Sequence, residues 1–325
     1  VIAGDEASGS VMKKRRLGRS DIEVAPFCFG GNVFGWTADE KTSFALLDAF
    51  VDAGFDFIDT ADAYSRWVPG HAGGESEAII GRWMKERGNR DKVIIATKVG
   101  ADMGSGRTMA PAYVRKAIED SLKRLQSDRI DLYQTHWDDE KTPLEEVLST
   151  YADLIKAGKV RAIGASNYSA ARLREALDIS ARKGLPRYES LQPHYNLVER
   201  KEYEAELGPI CRKEQIGVIP YYSLASGFLT GKYRSKSDAS KSPRGAGATK
   251  YLDERGLRTL TALDEIAAAH KATVAQVALA WLLAKPELVA PIASATSLPQ
   301  LKELLGADRL ELSAADVARL DAASA

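Results

Sequence analysis

Short apolar runs alternate with amphipathic stretches along nearly the whole chain, and this alternation predicts the elements. "EVAPFCFGG", from Glu23 to Gly31, is strand-like. "EKTSFALLDAFVDAG" carries apolar residues at Phe44, Leu47 and Val51 and closes on Gly54, which predicts a helix with a glycine cap. "FDFID" is the second strand, followed by a helix around "ESEAIIGRWMKERG". "KVIIATKVG" is the third, with a helix from Pro111 to Leu125 that has proline near its start. "RIDLYQTHW", "VRAIGASNY", "ESLQPHYN", "IGVIPYYSLA" and "LVAPIASA" supply strands four to eight. Helical segments follow each of them, including 256–270 and 274–284 after strand seven.

These are eight strand-then-helix units, spaced by roughly 30 residues with one insertion. Strands alternating with helices pair in parallel through right-handed crossovers. Eight such units predict an α/β fold, a TIM (β/α)8 barrel, forming a single domain over residues 12–325. An open doubly wound sheet is the alternative; it needs a reversal of strand order, which a sequence cannot show. "LGRSDIE", before strand one, reads as the turn of a short N-terminal β-hairpin able to plug the barrel floor. Residues 1–11 read as a tag remnant or disordered lead, because no apolar core of a signal peptide follows. The segment 232–256 has no apolar period and is rich in Ser, Gly, Lys and Arg, as functional or disordered loops are.

Catalytic groups of a barrel sit where its strands end. Those ends bring Asp59 and, past a turn, Tyr64 from strand two, Lys98 from strand three and His136 from strand four. Strand five ends in Ser166 and Asn167, strand six in Gln192 and His194, strand seven in Tyr221. Singly each has an ordinary explanation: a capping Asp, a rim Tyr, a solvated Lys, a hydrogen-bonded core His. Together an acid, a phenol, an amine and an imidazole converge on one mouth with a chemical logic. A phenol titrates near 10 and is a weak acid at neutral pH. An adjacent ammonium lowers that value, so Lys98, held by Asp59, is expected to acidify Tyr64. His136 would hydrogen-bond a substrate oxygen, making the group a proton donor to a nascent alkoxide. Asp62 reads as a turn residue.

"FIDTADAYS", "IIATKVG", "DLYQTHW", "IGASNYS", "LQPHYN", "PYYSLASGFLTGKY" and "QLKELLG" resemble, in this order, the signature segments of the aldo-keto reductases, in a bacterial branch. The likeness spans about Lys13 to Ala307. It implies a nicotinamide cofactor bound without a Rossmann fold, NADPH by family default with NADH as the alternative. It also implies reduction of aldehydes or ketones, with hydride from the nicotinamide and the proton from Tyr64. Asp59, Lys98 and His136 match the remaining catalytic positions. Ser166, Asn167 and Gln192 match the groups that bond the carboxamide, and Tyr221 the aromatic that stacks on the nicotinamide. Leu224, Ser226, Gly227 and Lys232 match the pyrophosphate segment, and Gly31 and Asn32 line the mouth after strand one. Potassium-channel β-subunits share this fold and tetrad, so a regulatory binding protein is the alternative function.

Two features depart from the family pattern. Where it often holds the adenosine 2′-phosphate with Lys or Arg, this chain has Ser294, Thr296 and Gln300; Glu303 remains, and a frequent Asn is Leu304. Hydroxyls and an amide are weaker partners for a phosphate than charged donors; the basic residues Lys232, Arg234, Lys236, Lys241, Arg244 and Lys250 of the segment 232–256 could replace that charge by folding over the cofactor, and a solvated surface loop is the alternative. The loop after Tyr64 is longer than usual, and Trp67 and His71 would roof the substrate pocket. With Phe34 and Trp137 this predicts an aromatic cleft for a large or flat carbonyl.

Composition narrows the partners. The 325 residues include 45 acidic and 45 basic side chains and are 45% apolar. Balanced charge argues against nucleic acid, and no apolar run reaches the roughly 20 residues that span a bilayer. Two cysteines without metal-ligand spacing and four scattered histidines imply no metal, and a cytoplasmic setting is expected. The carbonyl substrate and the oligomeric state stay open.

Overall fold

The computed structural model describes residues 12–325, so the reading of residues 1–11 lies outside the described part. A two-stranded antiparallel hairpin, β1 (Arg15–Arg16) and β2 (Glu23–Val24), comes first. Eight parallel strands follow: β3 (Cys28–Gly30), β4 (Phe57–Asp59), β5 (Ile94–Val99), β6 (Ile130–Thr135), β7 (Val160–Ser166), β8 (Tyr188–Gln192), β9 (Gly217–Val218) and β10 (Ile292–Ala293). They pair in chain order, and β10 returns to β3 through Ile292 and Cys28. The last seam closes where Val218 N donates to Glu287 O (2.9 Å) and Val289 N to Val218 O (2.8 Å). The sheet is thus a TIM barrel with no free edge.

Alternation along the strands sorts side chains into two cores. Cys28, Phe57, Ala96, Leu132, Ala162 and Ile219 point inward and pack with Leu17, Ile22 and Val24 of the hairpin, which plugs the floor. Phe29, Ile58, Ile95, Tyr133 and Ile163 point outward into the layer beneath the helices. That second layer is larger because every helix adds its apolar stripe to it. Helix starts follow capping chemistry. Asp39 accepts from Thr42 N at 2.8 Å ahead of α1 (Glu40–Asp52), and Pro111 opens the helix 111–125 as expected.

Three observations refine the sequence reading. The first expected strand, 23–31, is split: Glu23–Val24 belongs to the hairpin and Cys28–Gly30 to the barrel. The segment 232–256 is folded, with a helix Gly245–Thr249 and with Tyr233, Ala248 and Tyr251 buried. A terminal helix, Ala314–Ala323, packs on the long helix Glu254–His270; Arg200, bonded to Asp321 O and Ser324 Oγ, ties it to the segment after β8. No single helix among the described residues is long and apolar enough to cross a membrane.

Candidate active site

Phe57 and Asp59, Ala96 and Lys98, Leu132 and Gln134 share strand parity, so the lower member of each pair fills the barrel and the upper one faces its mouth. Lys98 lies in register with Gln134, and Ser166 with Gln192. The result is a polar layer capping an apolar interior. Gly164 leaves room beneath it: a side chain there would collide with Ser190 Oγ and come within 3.2 Å of Gln134 Cγ.

Asp59 is the hub and is 0% exposed. Its Oδ2 accepts from Lys98 Nζ at 2.6 Å and from Tyr64 OH at 3.2 Å. Its Oδ1 accepts from Gln134 Nε2 at 3.1 Å and from Gln192 Nε2 at 3.0 Å. Lys98, also 0% exposed, donates in addition to Thr60 O (2.9 Å) and to the Tyr64 oxygen (2.8 Å). The Tyr64 ring meets the His136 ring edge-on at 6.2 Å. The structure therefore brings Asp59, Tyr64, Lys98 and His136 to one place.

The electrostatics correct one expectation. The Tyr64 phenol is pushed well above its ordinary value, first by burial and then by the charge of Asp59 and the hydrogen bond to it. Lys98 does not outweigh them, because its ammonium is matched by the Asp59 carboxylate beside the phenol. His136 is held well below its ordinary value, mainly by burial and then by Lys98 and Arg107, so its ring is neutral at physiological pH. Its Nδ1 is buried without a partner.

The remaining predicted positions fall into groups. Asn167, in a left-handed conformation (φ 55°), donates to His136 O at 2.9 Å and accepts from Tyr221 OH at 2.8 Å. Ser166 Oγ donates to Gln192 O at 2.9 Å. Tyr221 stacks on His194 with ring centroids 5.3 Å apart. Gln192 spends its Nε2 on Asp59 and on Gln134 Oε1 (3.0 Å), so it serves the hub as well as facing the mouth.

Leu224, Ser226 and Gly227 lie in a kinked segment where Ala225, Ser226 and Gly227 all have positive φ (49°, 58° and 94°). Successive left-handed residues form concave backbone nests that suit anions. A side chain at Gly227 would lie 3.7 Å from Lys232 Nζ. Ser294 Oγ donates to Gly30 O at 2.7 Å. Asn32, its amide oriented to donate to Ser294 Oγ (2.7 Å), accepts from Arg244 Nη2 at 3.0 Å. Gly31 is buried under Ser76, whose Oγ donates to Gly31 O at 2.7 Å. Thr296 N and Oγ1 donate to Gln300 Oε1 at 3.0 and 3.1 Å, and Glu303 O accepts from Gln276 Nε2 at 2.8 Å.

Among the aromatics, Trp67 is 50% exposed and meets Trp36 and Tyr64 edge-on at 5.5 and 6.1 Å. Trp137 stacks beside His136 at 6.3 Å. Phe34 is not a wall of the cleft. It is 0% exposed and stacked on Phe29 at 5.2 Å, because its place after β3 turns it into the outer core. His71 lines a groove with Trp36, Asp39, Glu75 and Arg82.

Sequence reasoning missed Gln134; Asp62 does lie in the turn it was read into, but sequence did not show that it is buried there. Gln134 was readable in principle, since it shares parity with the inward-facing Leu132 on β6. Asp62 is 4% exposed, and its Oδ1 is buried without a partner. Burial, then the nearby charge of Glu77, pushes its carboxyl up to about 7. A carboxyl raised in the fold stabilises it fully below the unfolded value near 4, and that contribution is lost as pH rises through about 7. Asp62→Asn should therefore gain stability over the parent as pH rises from about 4.5 to about 8, by at most about 4 kcal/mol. Urea melts at the two pH values check this; an equal gap at both would contradict it.

A parallel barrel whose mouth gathers a buried Asp–Lys pair, a phenol and a neutral imidazole defines an enzyme-class site. The model of the Aldo/keto reductase family matches residues 26–325, and the chain belongs to that family. Its relatives agree. The uncharacterized oxidoreductase YrpG of Bacillus subtilis is 35% identical, covering 93% of this chain and 92% of its own length. Aldo-keto reductase YhdN of the same organism is 36% identical over 82% of this chain and 78% of its own. Aldo-keto reductase yakc of Schizosaccharomyces pombe, whose name specifies NADP(+), is 32% identical over 93% and 88%. The family establishes an oxidoreductase that works with a nicotinamide cofactor on a small carbonyl compound. Among the described residues no group of three His, Cys, Asp or Glu is placed to hold a metal ion.

Proposed function

We propose that this protein is a cytoplasmic NADPH-dependent reductase of aldehydes or ketones in which Tyr64 donates the proton. The observation that carries this reading is the triangle of contacts among Asp59, Tyr64 and Lys98 at the mouth. When bound, the reduced nicotinamide supplies hydride. The chain's own residues handle the oxygen. Tyr64 releases its long bond to Asp59 and turns its O–H to the substrate oxygen, which the neutral His136 ring also meets. An alkoxide is a far stronger base than a phenolate, so a phenol kept protonated through the neutral range still gives up its proton. Lys98 Nζ, 2.8 Å from that oxygen, then bonds the phenolate left behind.

The residues present fit a dinucleotide. The left-handed segment 225–227 offers a backbone nest, Lys232 stands beside it, and Arg244 reaches Asn32 just after β3. Arg244 is largely enclosed, which lowers its guanidinium's pKa, and among the described residues it has no carboxylate within 4.0 Å. An enclosed, unpaired guanidinium is costly unless an anion meets it, and the pyrophosphate is that anion. Ser294, Thr296, Gln300 and Glu303 frame the adenosine end, and Tyr221 with Ser166, Asn167 and Gln192 the nicotinamide end. The two cysteines are buried and unpaired, which fits a reducing compartment.

Fluorescence titration with NADPH and NADH, followed by aldehyde-dependent NADPH consumption, tests the reading; neither binding nor turnover would refute it. Arg244→Leu should weaken both dinucleotides by about tenfold, because they share the pyrophosphate. A loss confined to NADPH would move Arg244 to the 2′-phosphate instead.

A further inference from the structure

The guanidinium of Arg107 lies 3.9 Å above the ring of Trp137, on the loop between β5 and the helix 111–125. Trp137 in turn neighbours His136, and the charge of Arg107 is felt at that imidazole. This arginine stands beside the reaction mouth with no carboxylate within 4.0 Å among the described residues.

The reason is visible in three neighbouring acids, which are committed elsewhere. Asp138, next to Trp137 in the chain, is held by both Arg172 Nε (2.7 Å) and Nη2 (3.0 Å). Asp139 accepts from Met109 N (2.9 Å), Lys141 N (3.0 Å) and Thr142 Oγ1 (2.6 Å). Asp102 accepts from Gly104 N (2.7 Å) and Gly106 N (2.9 Å); it feels Arg66 and Arg107 but pairs with neither. Arg66 itself donates only to a main-chain oxygen, Asp102 O at 2.9 Å. A second cation on the same rim is thus also without a carboxylate partner. Nearby arginines below the rim are paired in the ordinary way, as Arg124 is with Glu77 at 2.7 Å.

Resting on the reductase reading above, we propose that the substrates are anionic: carbonyl compounds bearing a carboxylate on a flat or extended spacer, which Arg107 receives while the carbonyl lies between Tyr64 and His136. The indole of Trp137 holds the guanidinium plane in place and supplies an apolar face for the spacer. Trp67, edge-on to the Tyr64 ring at 6.1 Å, adds a second aromatic surface at the mouth. A planar guanidinium fixed on a ring presents a fork of donors matched to a carboxylate, which a flexible rim lysine would not. Arg107 is therefore a specificity residue that selects substrate charge.

The test compares 4-carboxybenzaldehyde with its methyl ester, which differ in charge and little in shape. The parent protein should favour the acid in kcat/KM. Arg107→Gln should lower the acid-to-ester ratio by about tenfold, a magnitude reduced from that of a buried charged bond because the arginine is exposed. Arg107→Lys should recover only part of it. A ratio unmoved by Arg107→Gln overturns the proposal. Terephthalate binding, read by quenching of tryptophan fluorescence, needs no turnover. Arg107-dependent terephthalate binding without reduction of either aldehyde would sink the reductase reading and leave the anion site standing. Ester reduction with no Arg107 effect would do the reverse.

Discussion

Tyr64→Phe should lower carbonyl turnover by about 10²- to 10⁴-fold, the usual contribution of a positioned acid, while the dissociation constant for NADPH changes little. The phenol oxygen contacts Asp59 and Lys98 and lies at the mouth, whereas the groups proposed to frame the dinucleotide are Tyr221, the 225–227 nest, Lys232 and Arg244. Phenylalanine keeps the ring that meets His136 and Trp67 edge-on, so the pocket's shape survives. Single-turnover rates with bound NADPH separate chemistry from binding. Turnover within tenfold of the parent would remove Tyr64 as the acid. The pH profile carries a second check. Tyr64 is pushed well above its ordinary value and His136 well below, so neither changes charge from about pH 8 to about pH 9, and Asp62, raised to about 7, is already ionised there. The rate of reduction should be flat across that window. A phenol acidified by Lys98 would instead make it fall as the acid is lost on the alkaline side.

The strand ends were legible because a barrel converts sequence order into spatial order: each strand-then-helix unit delivers its last residues to one rim. Alternation then told which of them point inward, and Asp59, Lys98, Ser166 and Gln192 obey it. The same rule places Gln134 at the hub, yet a glutamine has no charge or reactivity to draw notice. What makes it matter is that it donates to Asp59 and accepts from Gln192, relations between strands that no single segment displays. Phe34 failed for a related reason. Residues just past a strand leave the period-two pattern, so nearness to the mouth in sequence did not fix the side chain's direction. The phenol's titration was misread because sequence places the ammonium near it but not the balance against burial and Asp59. The segment 232–256 looked unstructured since its apolar anchors, Tyr233, Ala248 and Tyr251, are spaced irregularly and dock on other elements rather than on one helix face.

Lys98→Met should both unfold the protein more easily and stop its chemistry, and the two losses can be separated. Lys98 and Asp59 side chains are each 0% exposed and 2.6 Å apart. Removing one partner of such a pair leaves the other charge buried, which costs about 3–5 kcal/mol. Here Gln134 and Gln192 still donate to Asp59, so the lower end of that range is expected. Adding Asp59→Asn to Lys98→Met removes the stranded charge while keeping an amide oxygen for the two glutamines and an N–H for the Tyr64 oxygen. The double variant should therefore regain most of the lost stability in urea melts. It should regain none of the turnover, because nothing cationic remains to hold the phenolate that Tyr64 becomes. A single variant as stable as the parent would show that the pair is not what steadies the hub. A double variant that also recovers activity would show that the ammonium only shapes the site, and Lys98 would then be a positioning residue.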